Sequence, residues 1–553
     1  MPEKVTVAIN GSKFGARKWE RISTLLKEFP HTGKFPALGA VVNNRLVDLN
    51  YKISGNLDIQ TVDISHRGGM DIYRRSASII LYAAAAQIAP QVKLTVGQSI
   101  GDGYFFEVRG AKINKALIES LESSMKKMVK ANLPIEVEHT LVEDALKLLE
   151  KSGQESTREL LEQSRKADAS IVRLKKYVGY AHGPVAYRTG VIDKFKLYLF
   201  KHGFVLDFPN SEGELSKISK AHLYSKLFAT YVETKEWGKL LNVQNVAQLN
   251  ASCMSGDISE LIEVAEALHE KKIAAIADEI VKNKEKRFVL VAGPSCAGKT
   301  TFAKRLAIQL KLNGLQPVAL SVDNYYRNRD DSPKHSNGAY NFETLEALKI
   351  NDLSRDIKGL IEGKTVSIPS YDFKMGRPDP RRAKEMKLEK NHILITEGIH
   401  GLNDALTPTI VPSRKFKIYV SPLTQLCIDD HNRIFTTDTR LIRRIVRDRL
   451  FRNTNAENTI AGWESVRAGE NSYIFPYQES ADVVFNSALF YEYAIMKTYA
   501  ERFLMEIPRN SPSFIEANRL NRFFGLFIPI LSREVPADSI LREFIGESVF
   551  SYK

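Results

Sequence analysis

The chain has 553 residues, too many for one hydrophobic core, so we expect two to four domains. Hydrophobic residues make up 43% and charged residues 26%, as in soluble globular proteins, and no apolar run reaches the ~18 residues that a membrane span needs. The formal net charge of +14 favours polyanionic partners, and nucleotides and nucleic acids both qualify.

Cysteine usage and the start of the chain indicate the compartment. The three cysteines, Cys253, Cys296 and Cys427, are far apart and odd in number, which argues against a disulfide framework or a cysteine-rich zinc site. Residues 1–30 lack an apolar segment followed by a small-residue cleavage site. We therefore expect a cytoplasmic protein, and its oligomeric state stays open.

The N-terminal half is predicted to combine a small sheet with helices. Residues 35–64 contain short β-rich runs separated by turn residues, which predicts a compact β module. Apolar spacing predicts three helices: about Met70 to Ala89, 114–131 and 140–168. The last should begin with a capping box, because Glu143 follows Thr140 by three positions. A polar helical stretch over 256–286 then marks the main domain boundary.

An apolar strand at residues 288–292 leads into GPSCAGKT, a complete phosphate-binding loop, and a helical run follows. Glycine allows the sharp turn that brings backbone N–H groups against phosphate oxygens at a helix N-terminus. Lys299 should reach the β- and γ-phosphates, and Thr300 should offer its hydroxyl to Mg²⁺. The predicted ATP-binding residues are Gly293, Pro294, Ser295, Cys296, Ala297, Gly298, Lys299, Thr300 and Thr301.

Two acidic residues follow later strands of the predicted parallel sheet. The run PVALSV leads into Asp323, on a strand expected next to the P-loop strand, so that its carboxylate faces the acceptor of the γ-phosphate. Asp323 is then a general base, although it could instead cap a turn or hold Mg²⁺ through water. The strand HILIT ends in Glu397, which should lie in the magnesium and phosphate region.

Basic residues recur on a predicted helix downstream. Arg440, Arg444 and Arg447 share one face, and Arg443 lies beside them. Arginine binds phosphate through two parallel hydrogen bonds, so this face suits a phosphate-clamping lid. The alternative is an ordinary amphipathic helix, because apolar residues cover another side.

Six blocks between residues 288 and 490 resemble, in order, the uridine kinase/phosphoribulokinase family: GPSCAGKT, SVDNYYR, NFETLEAL, IPSYDFKMGR, TEGIHGL and DTRLIRRIVRD. The resemblance implies an ATP- and Mg²⁺-dependent kinase in which Lys299, Asp323 and Glu397 are catalytic and Thr300 and Glu397 are near the metal. The residues it places toward the acceptor are Glu343, Tyr371, Arg440, Arg443 and Arg444. The chain departs from the family at Glu343, usually Asp, and at Lys374-Met-Gly-Arg, where uridine kinases usually have a His, which leaves the recognised base open.

The N-terminal half resembles other modules. ALGAVVNNRLVDLNYKIS is similar to the β-grasp TGS module, and LTVGQSIGDGYFFEV, LVEDALKLLEKSG and HGPVAYRTGVIDKFKLYLF resemble the editing domain of threonyl-tRNA synthetases. That domain binds metal through two pairs of side chains. The aligned positions here are Arg75, Ile79, Ala181 and Val185, none of them zinc ligands. The nearby His66 and His182 are expected to be ordinary polar residues.

The predicted fold is α/β: a P-loop kinase domain with a parallel sheet, preceded by a β-grasp-like module and an α+β editing-like domain. The expected boundaries are 1–65, 66–250, a helical linker at 251–285, 286–500 and a C-terminal segment at 501–553. One hypothesis is a kinase for the 5′-hydroxyl of a nucleoside such as uridine or cytidine. The other is an RNA- or ribosome-associated regulator that uses the P-loop as a nucleotide switch and contacts RNA through the N-terminal modules. Asp323 favours the first, since a switch needs no base for an organic hydroxyl.

Overall fold

The computed structural model describes residues 4–216, 225–334, 338, 340–372 and 375–552. The first unit is a five-stranded sheet in the order β2-β1-β5-β3-β4, in which β1 and β5 are parallel and the other neighbours antiparallel. Its helix packs on the sheet through Ile22 and Leu25, as in a β-grasp module. The elements are β1 Lys4–Ile9, β2 Ser12–Arg17, α1 Ile22–Glu28, β3 Gly39–Val42, β4 Arg45–Asp48 and β5 Leu57–Val62.

The second unit is α+β, with two antiparallel sheets in the orders β10-β9-β8 and β11-β12-β7-β6. A long, mostly buried helix, α2, lies in its core. The elements are α2 Arg67–Ile88, β6 Lys93–Ile100, β7 Gly103–Arg109, α3 Lys115–Lys130, β8 Glu136–Leu141, α4 Val142–Lys151, α5 Glu155–Glu162, β9 Asp168–Leu174, β10 Tyr177–Tyr180, β11 Lys196–Phe200 and β12 Gly203–Asp207.

One local prediction in this unit is wrong. Thr140 lies in β8, where it pairs with Ala169 of β9, and α4 begins two residues later after Leu141 without a side-chain cap. The ladder between β8 and β9 fixes the extended backbone of Thr140, so Thr140 does not form the expected capping box with Glu143. A helical stretch predicted as continuous is divided into α4 and α5.

The third unit contains a five-stranded, fully parallel sheet in the order β14-β19-β13-β20-β23. Every residue of β13 is buried, as expected for a strand covered on both faces. Its helices are α6 Ser225–Leu240, α7 Val246–Ser255, α8 Ile258–Lys282, α9 Lys299–Leu312, α10 Ile350–Ile361, α11 Thr436–Phe451, α12 Ala456–Ala461, α13 Trp463–Tyr473, α14 Glu492–Met505, α15 Phe514–Phe524 and α16 Arg542–Ile545. Its strands are β13 Phe288–Ala292, β14 Gln316–Ser321, β15 Val366–Ile368, β16 Tyr371–Asp372, β17 Arg377–Pro378, β18 Lys384–Met386, β19 His392–Glu397, β20 Lys415–Ser421, β21 Cys427–Asp429, β22 Asn432–Arg433 and β23 Val483–Asn486.

The strand order corrects one expectation about the site. The strand before Asp323, β14, does not pair with the P-loop strand β13, because β19 lies between them. Strand order depends on long-range pairing, which the local pattern does not contain. The predicted fold class is confirmed: the chain is α/β, with a parallel P-loop sheet after a β-grasp-like and an α+β unit.

One hydrophobic core joins the parallel sheet to flanking segments. It contains Ile273 and Ile276 of α8, Val289 and Val291 of β13, and Phe544 near the C-terminus. Helix α8 and the C-terminal segment therefore bury their apolar residues against the same sheet. Among the described helices, none has both the length and the apolar composition required to cross a membrane.

Candidate active site

The P-loop connects β13 to α9 through an unusual backbone. Gly298, directly before the helix, has φ +82°, and Cys296 has φ +59°. A side chain at Gly298 would be strained at this φ, which explains the glycine. The Lys299 ammonium donates to the Pro294 carbonyl oxygen at 3.0 Å and so folds back across the loop. In P-loop proteins, a loop of this kind holds an anion with its backbone N–H groups and the lysine ammonium.

Thr300 and Glu397 meet at the mouth of the loop. The Thr300 hydroxyl donates to the Glu397 carboxylate, with Oγ1 2.9 Å from Oε2 and 3.1 Å from Oε1. Burial raises the pKa of Glu397, Lys299 opposes that shift, and Glu543 adds to it. A hydroxyl and a carboxylate held together are the oxygen donors that Mg²⁺ prefers, so these residues fit the metal that the sequence predicts.

Asp323 occupies the short 3₁₀ turn Val322–Tyr325 that follows β14. Its carboxylate opens into the cleft. The surrounding protein nevertheless raises the pKa of Asp323 by excluding water, and the positive charges of Lys299 and Arg452 only partly offset this increase. Asp323, Lys299 and Glu397 therefore interact electrostatically at the carboxyl ends of three parallel strands. A carboxylate there, with a raised pKa, accepts a proton more readily than an ordinary aspartate.

Glu343 approaches the same cleft from the loop before α10. Burial raises the pKa of Glu343, as does Glu470, while Arg444 and Lys299 lower it. A Cβ on Gly469 of α13 would lie 2.7 Å from the Glu343 Cβ and clash with it, so Gly469 lets the loop that carries Glu343 approach α13. No local sequence pattern indicates this role of Gly469, because it depends on a partner more than a hundred residues away.

An aromatic cluster lies beside Asp323 and Glu343. The ring of Tyr326 is 5.8 Å from that of Tyr371 and 6.2 Å from that of Phe342, measured between centroids. Burial, followed by Asp323 and Glu343, raises the pKa of Tyr326, which places this ring next to both carboxylates. Tyr371 is among the residues predicted from the sequence, whereas Tyr326 and Phe342 are not, although they belong to the blocks SVDNYYR and NFETLEAL. Lys374 lies outside the described residues.

The arginines of α11 separate into two groups. Arg440 is buried and paired with Glu470, and Arg443 is buried and paired with Glu492 at 2.7 Å. Arg444 is 23% exposed, donates from Nη1 to the Ser295 hydroxyl of the P-loop at 3.0 Å and pairs with Asp448 at 3.3 Å. Arg440 and Arg443 also reach the P-loop, where they donate to the carbonyl oxygens of Ser295 at 3.5 Å and Cys296 at 3.4 Å. Each of the three guanidinium groups therefore has a carboxylate partner.

The positions of the second unit that align with the metal ligands of the editing domain make other contacts. Ile79, Ala181 and Val185 are buried hydrophobic residues, and Arg75 contacts the Pro184 carbonyl oxygen. His66 caps α2 by accepting from the Gly68 N–H at 3.0 Å, an ordinary structural role. Burial and neighbouring cations, Arg75 first among them, lower the pKa of His182 to about 3. Among the described residues, no three His, Cys, Asp or Glu side chains are grouped to hold a metal ion.

The unit that contains the parallel sheet is similar to a family of known proteins. Residues 288–490 match the model of the "Phosphoribulokinase / Uridine kinase family". The uridine kinase of Ligilactobacillus salivarius is 30% identical over 205 residues, which cover 36% of this chain and 86% of that enzyme. The chain belongs to this family. The matched residues include the P-loop and all five strands of the parallel sheet.

The N-terminal region matches a different enzyme class. The threonine–tRNA ligase of Thermotoga petrophila is 31% identical over 185 residues, which cover 33% of this chain and 29% of the ligase. A ligase from Clostridium kluyveri is 28% identical over 192 residues, or 30% of its length. This family member thus spans less than a third of the threonine–tRNA ligases it matches.

Solved structures give weaker likenesses. A putative fructose transport system kinase from Silicibacter sp. TM1040 is 17% identical with a TM-score of 0.27, over 38% of this chain and 98% of that one. A possible uridine kinase from Bacillus stearothermophilus is 16% identical with a TM-score of 0.25, over 36% of this chain and 88% of that one. Likenesses of this size support no conclusion about activity.

Proposed function

We propose that this chain is an ATP-dependent kinase that phosphorylates the 5′-hydroxyl of a nucleoside such as uridine or cytidine. The observation that carries the proposal is the convergence of Lys299, Glu397 and Asp323 at the ends of β13, β19 and β14. This set provides an anion-binding loop, an oxygen ligand for a cation and a separate base. A nucleotide switch needs the first two and has no use for the third.

Each residue then has a chemical role. The P-loop N–H groups and Lys299 hold the phosphates and offset the charge that develops during in-line transfer. Mg²⁺, bound near Thr300 and Glu397, would add positive charge at the transferred phosphoryl group. Asp323 orients the acceptor hydroxyl and takes its proton as the new O–P bond forms. Its raised pKa favours that proton transfer.

The aromatic cluster supports a nucleoside as the acceptor. The rings of Tyr326, Tyr371 and Phe342 lie near the carboxylate of Asp323 that is proposed to accept the proton. Glu343 adds a hydrogen-bond acceptor for sugar hydroxyls. Stacking on an aromatic face is worth roughly 1–3 kcal/mol per base and tolerates different bases. A planar base attached to a hydroxyl-bearing sugar matches this combination better than a small polyol does.

The test is the substitution Asp323→Asn, which keeps the size of the side chain and removes the proton acceptor. We expect ATP affinity close to wild type and a phosphoryl-transfer rate lower by roughly 10²–10⁴-fold, the usual contribution of general-base catalysis. The measurement is single-turnover transfer from ATP to the best acceptor among uridine, cytidine, other nucleosides, sugars and sugar phosphates, with nucleotide titration and thermal melting of the same preparation.

The matched control is Asp331→Asn. Asp331 is an exposed carboxylate eight residues further on that accepts from Asn328 at 2.8 Å, and its loss should leave transfer unchanged. A folded Asp323→Asn protein that transfers phosphate at the wild-type rate would rule out Asp323 as the base. Loss of stability with transfer preserved would make Asp323 a turn-capping residue.

A second candidate function rests on the match to threonine–tRNA ligases. In this alternative the first two units bind tRNA or the ribosome, and the P-loop unit reports the nucleotide state. Its signature would be RNA affinity that differs between the ATP- and ADP-bound protein, without transfer to any acceptor in the panel. The acceptor screen and an RNA-binding titration therefore separate the two candidates.

A further inference from the structure

The end of the chain lies directly on the P-loop. Glu543 of α16 accepts from the Thr301 backbone N–H at 3.2 Å and from the Thr301 hydroxyl at 2.7 Å. The Tyr552 hydroxyl is 2.9 Å from the same Thr301 hydroxyl. Ile540, fully buried, packs against Gly298, where its Cγ2 is 2.6 Å from the position a Cβ would take. These contacts cover the junction of the loop and α9.

The position of Glu543 is one that a phosphate group would use. Thr301 is in the first turn of α9, where backbone N–H groups lack intrahelical partners and the helix dipole favours negative charge. In P-loop proteins the same donors hold nucleotide phosphates. A carboxylate and a phosphate present similar anionic oxygens, so Glu543 and the nucleotide compete for one N–H and one hydroxyl.

A second carboxylate occupies the other end of the loop. Glu470 accepts from the Ser295 backbone N–H at 3.0 Å and is also paired with the buried Arg440. Both ends of the anion-binding loop therefore contact carboxylates of the chain itself. Arg440 is held by the same contact and is not presented to the cleft.

Packing holds the segment in place. Leu541, Phe544 and Ile545 are buried in the core shared with the parallel sheet, and the Phe544 ring lies 5.1 Å from the Arg443 guanidinium carbon. Arg542 braces the turn by donating to the carbonyl oxygens of Ser532 and Val535. One interaction opposes this packing: Glu543 lies near Glu397 and raises the pKa of Glu397, so the contact of Glu543 with the P-loop brings two acids together.

We propose that residues 540–552 form an autoinhibitory plug in which Glu543 occupies a phosphate position of the P-loop and must leave before a nucleotide binds fully. The inference rests on the proposed function, because it regulates the same nucleotide site. A site that is competent in only a fraction of molecules shows an apparent affinity reduced by that fraction. Nucleotide binding then reports directly on the plug.

The test is Glu543→Ala, with ADP–Mg²⁺ and inorganic pyrophosphate as probes and titration calorimetry as the readout. The variant should bind both probes about 10-fold more tightly than wild type, the change expected if the plug is closed in roughly ten of eleven molecules. Glu543→Gln, which removes the charge and keeps the size, should shift affinity in the same direction. Thermal melting verifies that each protein is folded.

The matched control is Glu547→Gln, which removes an exposed carboxylate of the same segment that pairs with Arg542 and should leave affinity unchanged. Affinity in Glu543→Ala equal to or weaker than wild type would overturn the inference, and a weaker value would make Glu543 a nucleotide ligand. Lys299→Ala separates the two proposals: if it does not weaken ADP binding, the nucleotide site itself is wrongly placed.

Discussion

His269 shows how burial sets the chemistry of a single residue. Its ring lies under the parallel sheet, 1% exposed, with Nε2 3.2 Å from the Ala488 carbonyl oxygen. Within the described part of the chain, Nδ1 has no hydrogen-bond partner, so the neutral ring with its proton on Nε2 is the form that fits. Burial, followed by the charges of Arg305 and Arg443, lowers its pKa to about 3.

This shift predicts a pH-dependent stability with a definite sign. Below the ordinary pKa of 6.5 the unfolded chain binds a proton at His269 that the folded chain does not, so stability decreases as pH falls from 6.5 toward 3. The substitution His269→Asn keeps a donor for Ala488 and cannot titrate. Between pH 7.5 and pH 5.0, wild type should lose about 2 kcal/mol more than the variant in urea unfolding, at about 1.4 kcal/mol per pH unit. Equal losses would contradict the neutral buried ring.

The carboxylates of the candidate active site affect the pH dependence of stability in the opposite direction from His269. The surrounding protein keeps water away from the carboxylates of Asp323, Glu343 and Glu397 and so raises their pKa values, and each therefore binds a proton at a higher pH when the chain is folded. Three such acids in one cleft repel one another. A bound cation or the positive charge of Lys299 relieves that repulsion, which links the acidity of the site to the ligand it is proposed to take.

At the scale of elements, local patterns predicted local structure well. The strand at Phe288–Ala292, the loop and the helix from Lys299 were predicted because apolar periodicity, glycine and the P-loop spacing all lie within 25 residues. The position of β19 between β13 and β14 was missed, because strand order follows from pairings about a hundred residues apart. Thr140 was missed for the same reason, since its partner in the ladder belongs to β9.

The arginines of α11 show the same limit at the candidate site. Spacing on the helix identified Arg440, Arg443 and Arg444 as a charged cluster, and it could not reveal that Glu470 and Glu492 approach two of them from distant helices. The contact of Glu543 with the P-loop is also invisible in the sequence, because 242 residues separate Glu543 from Thr301. Residue types were predictable, and their long-range partners were not.

Helix α11 is attached to α14 through a buried ion pair. Arg443 donates from Nε and Nη2 to the two carboxylate oxygens of Glu492 at 3.0 and 2.7 Å, and both side chains are at most 1% exposed. Glu492→Gln leaves the Arg443 charge buried without its counter-charge, so we expect a loss of about 3–5 kcal/mol in the free energy of unfolding. Urea denaturation measures this directly.

The control for that prediction is a second ion pair between the same helices, at the C-terminal ends of α11 and α14. Arg449 pairs with Glu506 at 3.2 Å, where both side chains are more than a third exposed. Glu506→Gln should therefore cost less than about 1 kcal/mol. Similar losses in the two variants would show that burial does not distinguish the pairs, and a loss below 1 kcal/mol for Glu492→Gln would contradict the prediction.

At the scale of the molecule, the core suggests different boundaries from those predicted. The hydrophobic cluster that includes strands of the parallel sheet also contains buried residues of α7 and α8 and of the segment from Ala517 to Ile545. We propose that residues 251–285 and 501–553 are parts of the kinase fold, where the sequence had indicated a linker and an appended segment. A C-terminal segment integrated in this way is also the one that reaches the P-loop.

The hairpin β21–β22 of the third unit packs against the second unit. His431 stacks on Tyr82 of α2, with ring centroids 3.9 Å apart, and its Nδ1 is 3.1 Å from the Tyr177 hydroxyl. The backbone continues the contact, because Val96 of β6 donates to the Asp430 carbonyl oxygen at 2.9 Å. The His431 side chain therefore contributes both a stacked ring and a hydrogen bond to the contact between the two units.

If this contact holds the two units together, His431→Ala should make α2 and β6, the elements that contact the hairpin, open more often. Loss of the stacked ring removes roughly 0.5–1.5 kcal/mol of aromatic interaction in addition to the buried area, so amides of α2 and β6 should exchange hydrogen about 10-fold faster. The measurement is hydrogen exchange of peptides covering those elements. His139→Ala is the control. His139 contacts Ser170 within the second unit, with Nδ1 2.9 Å from the hydroxyl, so its loss should change hydrogen exchange in β8 and β9 alone. Unchanged exchange in α2 and β6 of His431→Ala would mean that the His431 side chain does not determine how the units associate.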